Sequence, residues 1–163
     1  MNFSFRKTRG DPQPTEKIAV LLASSGGRFS KAALERAREL AGGEPIGVLV
    51  ILRIFGSSFG LQHPALLPNQ KEVDQGVEIV RTAIRTLERR GCEVDGQVAA
   101  TRHPVKQIVS AARRRQARIV VMDAPSTTGL RRFIEGDVTV SIRRRLRGRA
   151  IVEVVSIVNS VLS

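Results

Sequence analysis

The chain has 163 residues and a mass of 17.8 kDa, which suffices for one ordinary domain and excludes two large ones. Its content of 42% hydrophobic and 26% charged residues permits a packed core and excludes general disorder. Lysine and arginine number 27 against 15 acidic residues, and the formal charge of +12 favours anionic ligands or partners. The sequence has neither a membrane-spanning apolar run nor a secretory leader, and its one cysteine forms no internal disulfide. We therefore expect a cytoplasmic protein with no transmembrane segment.

The first predicted elements follow a flexible tail at residues 1–16, which contains a glycine and two prolines. A continuous apolar run at 18–23 predicts a buried strand that leads into the loop at 24–27. Ser30 is expected to cap the next helix, in which alanine and leucine recur at helical spacing until Gly42.

Strands and helices alternate over the rest of the chain. Further strands are predicted at 46–52, 93–100, 119–122 and 150–155. Apolar residues at helical spacing predict three helices between them, the second beginning at Pro104. Because the strands are apolar without alternation, we predict an α/β fold, a doubly wound five-stranded parallel sheet with helices on both faces. This domain is expected to span residues 17–158, with a C-terminal tail at 159–163.

A ligand of such a sheet binds in the crevice beyond the carboxyl ends of the strands. Arginines follow four of the predicted ends, at Arg28, Arg53, Arg102 and Arg131–Arg132. They are either solvated loop residues or the rim of a site for an anionic ligand. The two histidines, His63 and His103, are far apart and have no matching nucleophile, so we predict no enzymatic activity, with a weak ATPase as the remaining alternative.

The last third of the chain carries recognisable motifs, namely Val121-Met122, Gly129-Leu130-Arg131-Arg132 and Gly136-Asp137-Val138. In these motifs, and in element order from Lys17 to Val155, the chain resembles the universal stress protein family. The resemblance implies that Gly136-Asp137-Val138 opens a helix. The family's ATP-binding branch carries Gly-x2-Gly-x9-Gly-Ser/Thr and an aspartate at the end of the first strand, which contacts the nucleotide.

This chain departs from the ATP-binding pattern at most positions. The resemblance places Ala23 at the first-strand aspartate, Asp123 and Ser126 at the first two glycines, and Asp137 at the Ser/Thr after Gly136. A carboxylate beside a phosphate costs on the order of 1 to 4 kcal/mol at surface-like dielectrics. The motif is therefore degenerate, and we predict no tight binding of ATP.

The predicted crevice residues, with an uncertain ligand, are Ala23, Ser24, Ser25, Asp123, Ser126, Thr127, Thr128, Gly129, Gly136 and Asp137. The first alternative is a nucleotide-binding protein whose site for ATP or AMP is lined by Ser24, Ser25, Thr127, Thr128, Gly129 and Gly136. Magnesium bridging the two carboxylates to phosphate would then offset their repulsion. No metal site is predicted without nucleotide.

The last predicted strand and its extension, Ala150 to Val158, form an apolar edge with Glu153 as its one charge. Such an edge favours pairing with another chain. Members of the resembled family commonly dimerise through this strand, and the resemblance therefore implies a homodimer here. We predict a regulatory or stress-response binding module that acts through this dimer.

Arginine clusters end three of the predicted helices, at Arg89–Arg90, Arg113–Arg115 and Arg143–Arg145 with Arg147. There they complement the helix dipole. They also form an arginine-rich pole opposite the crevice, whose candidate partners are an acidic protein, a nucleic acid or an anionic lipid surface. A basic scaffold of this kind is the further alternative.

Overall fold

The computed structural model describes residues 2–5, 17–54, 67–124 and 131–155, with the backbone alone for 2–5 and 131–137. The strands are β1 (Asn2–Phe5), β2 (Val20–Ser24), β3 (Ile46–Arg53), β4 (Val94–Thr101), β5 (Ile119–Asp123) and β6 (Ile151–Val155). The helices are α1 (Lys31–Ala41), α2 (Gln70–Glu88), α3 (Pro104–Arg114) and α4 (Arg131–Arg145).

The six strands form one sheet in the order β1-β4-β3-β2-β5-β6. The five strands from β2 to β6 pair in parallel, which confirms the predicted parallel sheet. The prediction of a tail at 1–16 is wrong for residues 2–5, because β1 pairs antiparallel with β4. The sheet is therefore mixed, with one antiparallel edge strand. A four-residue strand is too short to be recognised without its partner, since its ladder exists only in the folded chain.

Helices cover both faces of the sheet, as predicted. Side chains of α1 and α2, such as Ala33 and Val80, pack with one face in a single apolar cluster. Side chains of α3 and α4, such as Ile108 and Ile142, pack with the other face. Because both faces are covered, the strands carry apolar residues at successive positions, which is the reason for their continuous runs.

Local signals set the ends of the helices. The Ser30 side chain accepts a hydrogen bond from the backbone N–H of Ala33, so Ser30 caps α1 as predicted. Gly42 ends the same helix with a φ of 56°, a conformation that glycine adopts at little cost. Pro104 occupies the first turn of α3.

The most buried ion pair joins the end of α3 to the sheet. Arg115 forms two hydrogen bonds of 2.5 Å with the carboxylate of Asp95 on β4, and their side chains are 7% and 18% exposed. Gly47 on β3 makes room for the pair, because a Cβ there would lie 2.7 Å from Arg115 Nη1. The Arg115 carbonyl also accepts a bond from the Ile18 N–H just before β2. Arg115 thus anchors the chain at the amino ends of three strands.

No helix in the described ranges is both long and apolar enough to cross a bilayer.

Candidate functional site

The chain reverses its direction of winding between β2 and β5. From β2 it builds outward through β3 to β4, and it then returns to the other side of β2 to build β5 and β6. The carboxyl ends of β2 and β5, Ser24 and Asp123, lie at this switch point. Helices leave adjacent strands here on opposite faces, which opens a crevice where ligands of α/β proteins bind.

At this switch point the carboxylate of Asp123 is hydrogen bonded to the N-terminus of α1. Asp123 Oδ2 accepts a 2.9 Å hydrogen bond from the Ser30 backbone N–H, and Asp123 Oδ1 accepts a bond from the Ser30 hydroxyl. Ser30 is the N-cap of α1, so the Asp123 carboxylate lies at the positive end of that helix dipole. The contact ties the loop after β2 to the end of β5. A helix N-terminus that would attract an anion is already occupied by one from the chain.

Ser30 serves two partners at once. Its hydroxyl oxygen accepts from the Ala33 N–H while its proton is donated to Asp123. The sequence predicts the cap but not the contact with Asp123, because the two residues are 93 positions apart. The contact between Ser30 and Asp123 could have been predicted from the order of the strands in the sheet. Placing β5 beside β2 brings the end of β5 to the start of α1.

The other residues predicted on the β2 side offer little to a ligand. Ala23 is 1% exposed and packs in the core, so it presents no polar group to the crevice. The Ser24 hydroxyl donates a 2.6 Å hydrogen bond to the Gly27 carbonyl, within its own loop. Ser25 is half-buried beside it. The structure brings these three residues to the same strand end as Asp123 but gives them no common contact with it.

The residues predicted after β5 divide into two groups. Ser126, Thr127, Thr128 and Gly129 lie outside the described residues. Gly136 and Asp137 are described by their backbone, and they are the sixth and seventh residues of α4. The expectation that they open this helix is therefore wrong. The helix begins at Arg131, and Asp137 lies inside it rather than at its N-terminus. A central glycine costs a helix about 1 kcal/mol, and α4 nevertheless continues through Gly136.

A cavity of about 380 Å³ lies between the start of α1 and the side of α2. Arg28 and Phe29 border it on one side and α2 on the other, with Glu78 and Thr82 on its polar wall and Ile79 in its apolar wall. None of the predicted crevice residues belongs to its described lining. Arg28, expected on the rim of the crevice, thus faces the space between α1 and α2.

The arginine-rich pole is only partly a free surface. Arg115, predicted as one of its residues, is buried against Asp95, so the prediction is wrong for this residue. Arg90 pairs with Glu35 of α1, and Arg118 pairs with Glu44. The clusters at the ends of α3 and α4 keep most of their arginines exposed.

The described residues contain no group of three or more histidine, cysteine or carboxylate side chains placed to hold a metal ion. Of the two carboxylates predicted at the crevice, Asp123 has a described side chain, and that side chain accepts hydrogen bonds from Ser30.

Solved structures of universal stress proteins share this fold at low identity. One from Burkholderia pseudomallei is 20% identical, with a TM-score of 0.61, and the match covers 88% of this chain and 98% of that chain. One from Archaeoglobus fulgidus in complex with dAMP is 17% identical, with a TM-score of 0.55 over 84% of this chain and 96% of that chain. One from Arabidopsis thaliana with AMP bound is 13% identical, with a TM-score of 0.56 over 85% of this chain and 91% of that chain.

A search of curated proteins finds no match. The sequence model described as the universal stress protein family matches residues 18–148, which is most of the chain. The order of the five parallel strands and four helices agrees with that match. The chain therefore belongs to the universal stress protein family.

Proposed function

We propose that this protein is a non-catalytic, regulatory or stress-response binding module whose crevice does not bind ATP tightly. The observation that carries the proposal is the Asp123 carboxylate at the N-terminus of α1, bonded to both donors of Ser30. A nucleotide phosphate that approaches this helix end meets a negative charge and finds its donors in use.

The size of these effects supports weak binding. Two like charges a few Å apart repel by on the order of 1 to 4 kcal/mol at surface-like dielectrics. A hydrogen bond to a charged acceptor contributes about 1.5 to 3 kcal/mol, and a phosphate that displaced the carboxylate would have to replace both bonds of Ser30. Each 1.4 kcal/mol lowers affinity about tenfold, so a repulsion of this size lowers it by a factor between about five and about a thousand.

The second candidate is a nucleotide-binding protein with a modified phosphate loop. It is favoured by the relatives solved with AMP and dAMP, whose fold this chain shares. In that case Ser24 and Ser25 would meet the ligand from the β2 side, and residues 127–129 would meet it from the β5 side. Magnesium would have to bridge the phosphates to Asp123.

The two candidates differ in what the purified protein carries. Protein purified without added nucleotide is denatured, and the released small molecules are separated and identified by mass spectrometry. We expect no adenine nucleotide in stoichiometric amount. A nucleotide retained at about one per chain would establish the second candidate and refute the first, since only a tightly bound ligand survives purification.

The proposed module acts as a homodimer, which pairs through β6. This strand ends the sheet beside β5, and Ile151 is 67% exposed. Its Ile151 N–H and Val155 carbonyl bond to the β5 side, so by strand alternation the backbone groups of Val152 and Val154 face outward. The charge of Glu153 is neutralised by Arg36, and this hydrogen bond is the main cause that raises the pKa of the Arg36 guanidinium. Of these outward groups, the Val152 carbonyl already accepts a 3.4 Å hydrogen bond from Arg143, so the proposed pairing uses the backbone groups of Val154.

Replacing Val154 by proline tests the dimer. Proline removes an outward N–H while leaving the bonds of Ile151 and Val155 to the β5 side in place. We expect the wild type to sediment as a dimer and Val154→Pro as a folded monomer. The matched variant Val154→Thr keeps the N–H and the β-branched shape, and it should remain dimeric. A monomeric wild type, or a Val154→Pro variant that is folded and still dimeric, would contradict pairing through this edge.

A further inference from the structure

The two helical layers of the protein differ sharply in charge. Helices α1 and α2 together contain six basic and six acidic residues. On the other face, α3 and α4 together contain eight basic residues and two acidic ones, Glu135 and Asp137, and Arg147 and Arg149 follow before β6. The excess charge of the chain is therefore concentrated on the α3/α4 side of the sheet and is not spread evenly over the surface.

Within this layer the arginines form one continuous surface. Arg113 at the end of α3 donates a 2.8 Å hydrogen bond to the Arg145 carbonyl at the end of α4, which holds the two helix ends together. Arg143 donates to the Val152 carbonyl. The arginine surface consists of Arg113, Arg114, Arg143, Arg144, Arg145, Arg147 and Arg149, all of them exposed. None of the described ion pairs involves a member of this surface.

Phosphate is the anion that suits such a surface. The guanidinium group binds phosphate with two parallel hydrogen bonds and is more weakly hydrated than the lysine ammonium. In α3 and α4 lysine occurs once, at Lys106, and the other seven basic residues are arginines. Seven arginines on one face repel one another, and a polyanion with several phosphates relieves this repulsion at many points together.

The side chains around the arginine surface favour a nucleic acid duplex over a bilayer surface or a single-stranded nucleic acid. Binding to a bilayer surface buries an apolar helix face, whereas the described residues of this layer expose one large apolar side chain on a helix, Val140. Single-stranded nucleic acids stack on aromatic rings, and the described side chains of this layer include no phenylalanine, tyrosine or tryptophan. A duplex presents its phosphates outward and needs neither feature.

We infer that the arginine surface binds the phosphate backbone of a double-stranded nucleic acid without reading its base sequence. The inference is independent of the nucleotide crevice, which lies at the opposite ends of the strands. It gives the family domain a second surface, directed at a polymer rather than at a small molecule.

The salt dependence of binding to a short DNA duplex tests this inference. Anisotropy of a labelled duplex is measured with the wild type, with the double variant Arg144→Ala/Arg147→Ala, and with Lys71→Ala/Arg85→Ala. The last pair removes the same charge from exposed positions of α2. Between about 50 and 200 mM salt, we expect the slope of log K against log salt to fall by about two for the first double variant and to stay unchanged for the second. Affinity near 0.1 M salt should fall at least about tenfold in the first alone.

Other outcomes would overturn the inference. Equal losses in the two double variants would mean that net charge, and not this surface, attracts the duplex. Absence of duplex binding, together with binding to phosphatidylserine vesicles that Arg144→Ala/Arg147→Ala abolishes, would assign the surface to a membrane. Tighter binding to a single strand than to the duplex would exclude the duplex as its ligand. Thermal unfolding of each variant confirms that the fold is retained.

Discussion

Arg115→Ala is expected to lower the free energy of unfolding by about 3 kcal/mol, because it leaves the Asp95 carboxylate without its partner in a site shielded from water. This value is at the lower end of the range for breaking buried ion pairs, because the Asp95 side chain is 18% exposed and water can partly solvate its charge. For a chain of this size it corresponds to a fall in melting temperature of about 6 to 12 °C. Urea unfolding followed by circular dichroism measures it directly.

Arg114→Ala is the matched control for this substitution. Arg114 precedes Arg115 and ends α3, but its side chain is exposed, and its loss should change stability by about 0.5 kcal/mol or less. A double-mutant cycle with Asp95→Ala should give a coupling of about 2 kcal/mol or more between Arg115 and Asp95. Equal effects of Arg114→Ala and Arg115→Ala would show that burial against Gly47 and Asp95 has no energetic role.

Asp123→Ala is expected to have opposite effects on stability and on ligand binding. It removes two hydrogen bonds to Ser30 and a favourable charge at the α1 N-terminus, so the free energy of unfolding should fall by about 2 kcal/mol. It also frees the donors of Ser30 and removes the carboxylate that repels phosphate. Affinity for AMP and ATP should therefore rise at least about tenfold over that of the wild type.

Ser30→Ala separates the two effects of that substitution. It removes the cap of α1 and one bond to Asp123, at a cost of about 1 to 2 kcal/mol, but leaves the carboxylate in the crevice. We expect reduced stability and no gain in nucleotide binding. If Asp123→Ala binds AMP no more tightly than Ser30→Ala does, the carboxylate is not what closes the crevice.

Local sequence signals were sufficient for most of the sheet and the helix ends. Continuous apolar runs predict the positions of β2, β3 and β5 to within two residues, because strands covered on both faces have no polar side to interrupt the pattern. Ser30, Gly42 and Pro104 mark helix ends correctly, since the conformations they favour depend on neighbouring residues alone.

Features that depend on distant residues could not be predicted in the same way. Arg113, Arg114 and Arg115 are identical in type, and only the empty space above Gly47 and the carboxylate of Asp95 decide which of them is buried. The partner of Asp123 depends in the same way on the order of strands in the sheet. The helix start expected at Gly136 lies five residues after the observed start at Arg131, because a glycine favours a helix end locally and gives no sign that the helix continues through it.

The claim that the crevice does not bind nucleotides tightly is tested most directly by calorimetric titration of the wild-type protein. The ligands are ATP and AMP, each with and without magnesium. With Asp123 held at the N-terminus of α1, no binding heat should appear up to millimolar nucleotide under any of the four conditions. A micromolar dissociation constant in any of them would contradict this, and would mean that the chain accommodates phosphate despite the carboxylate at its crevice.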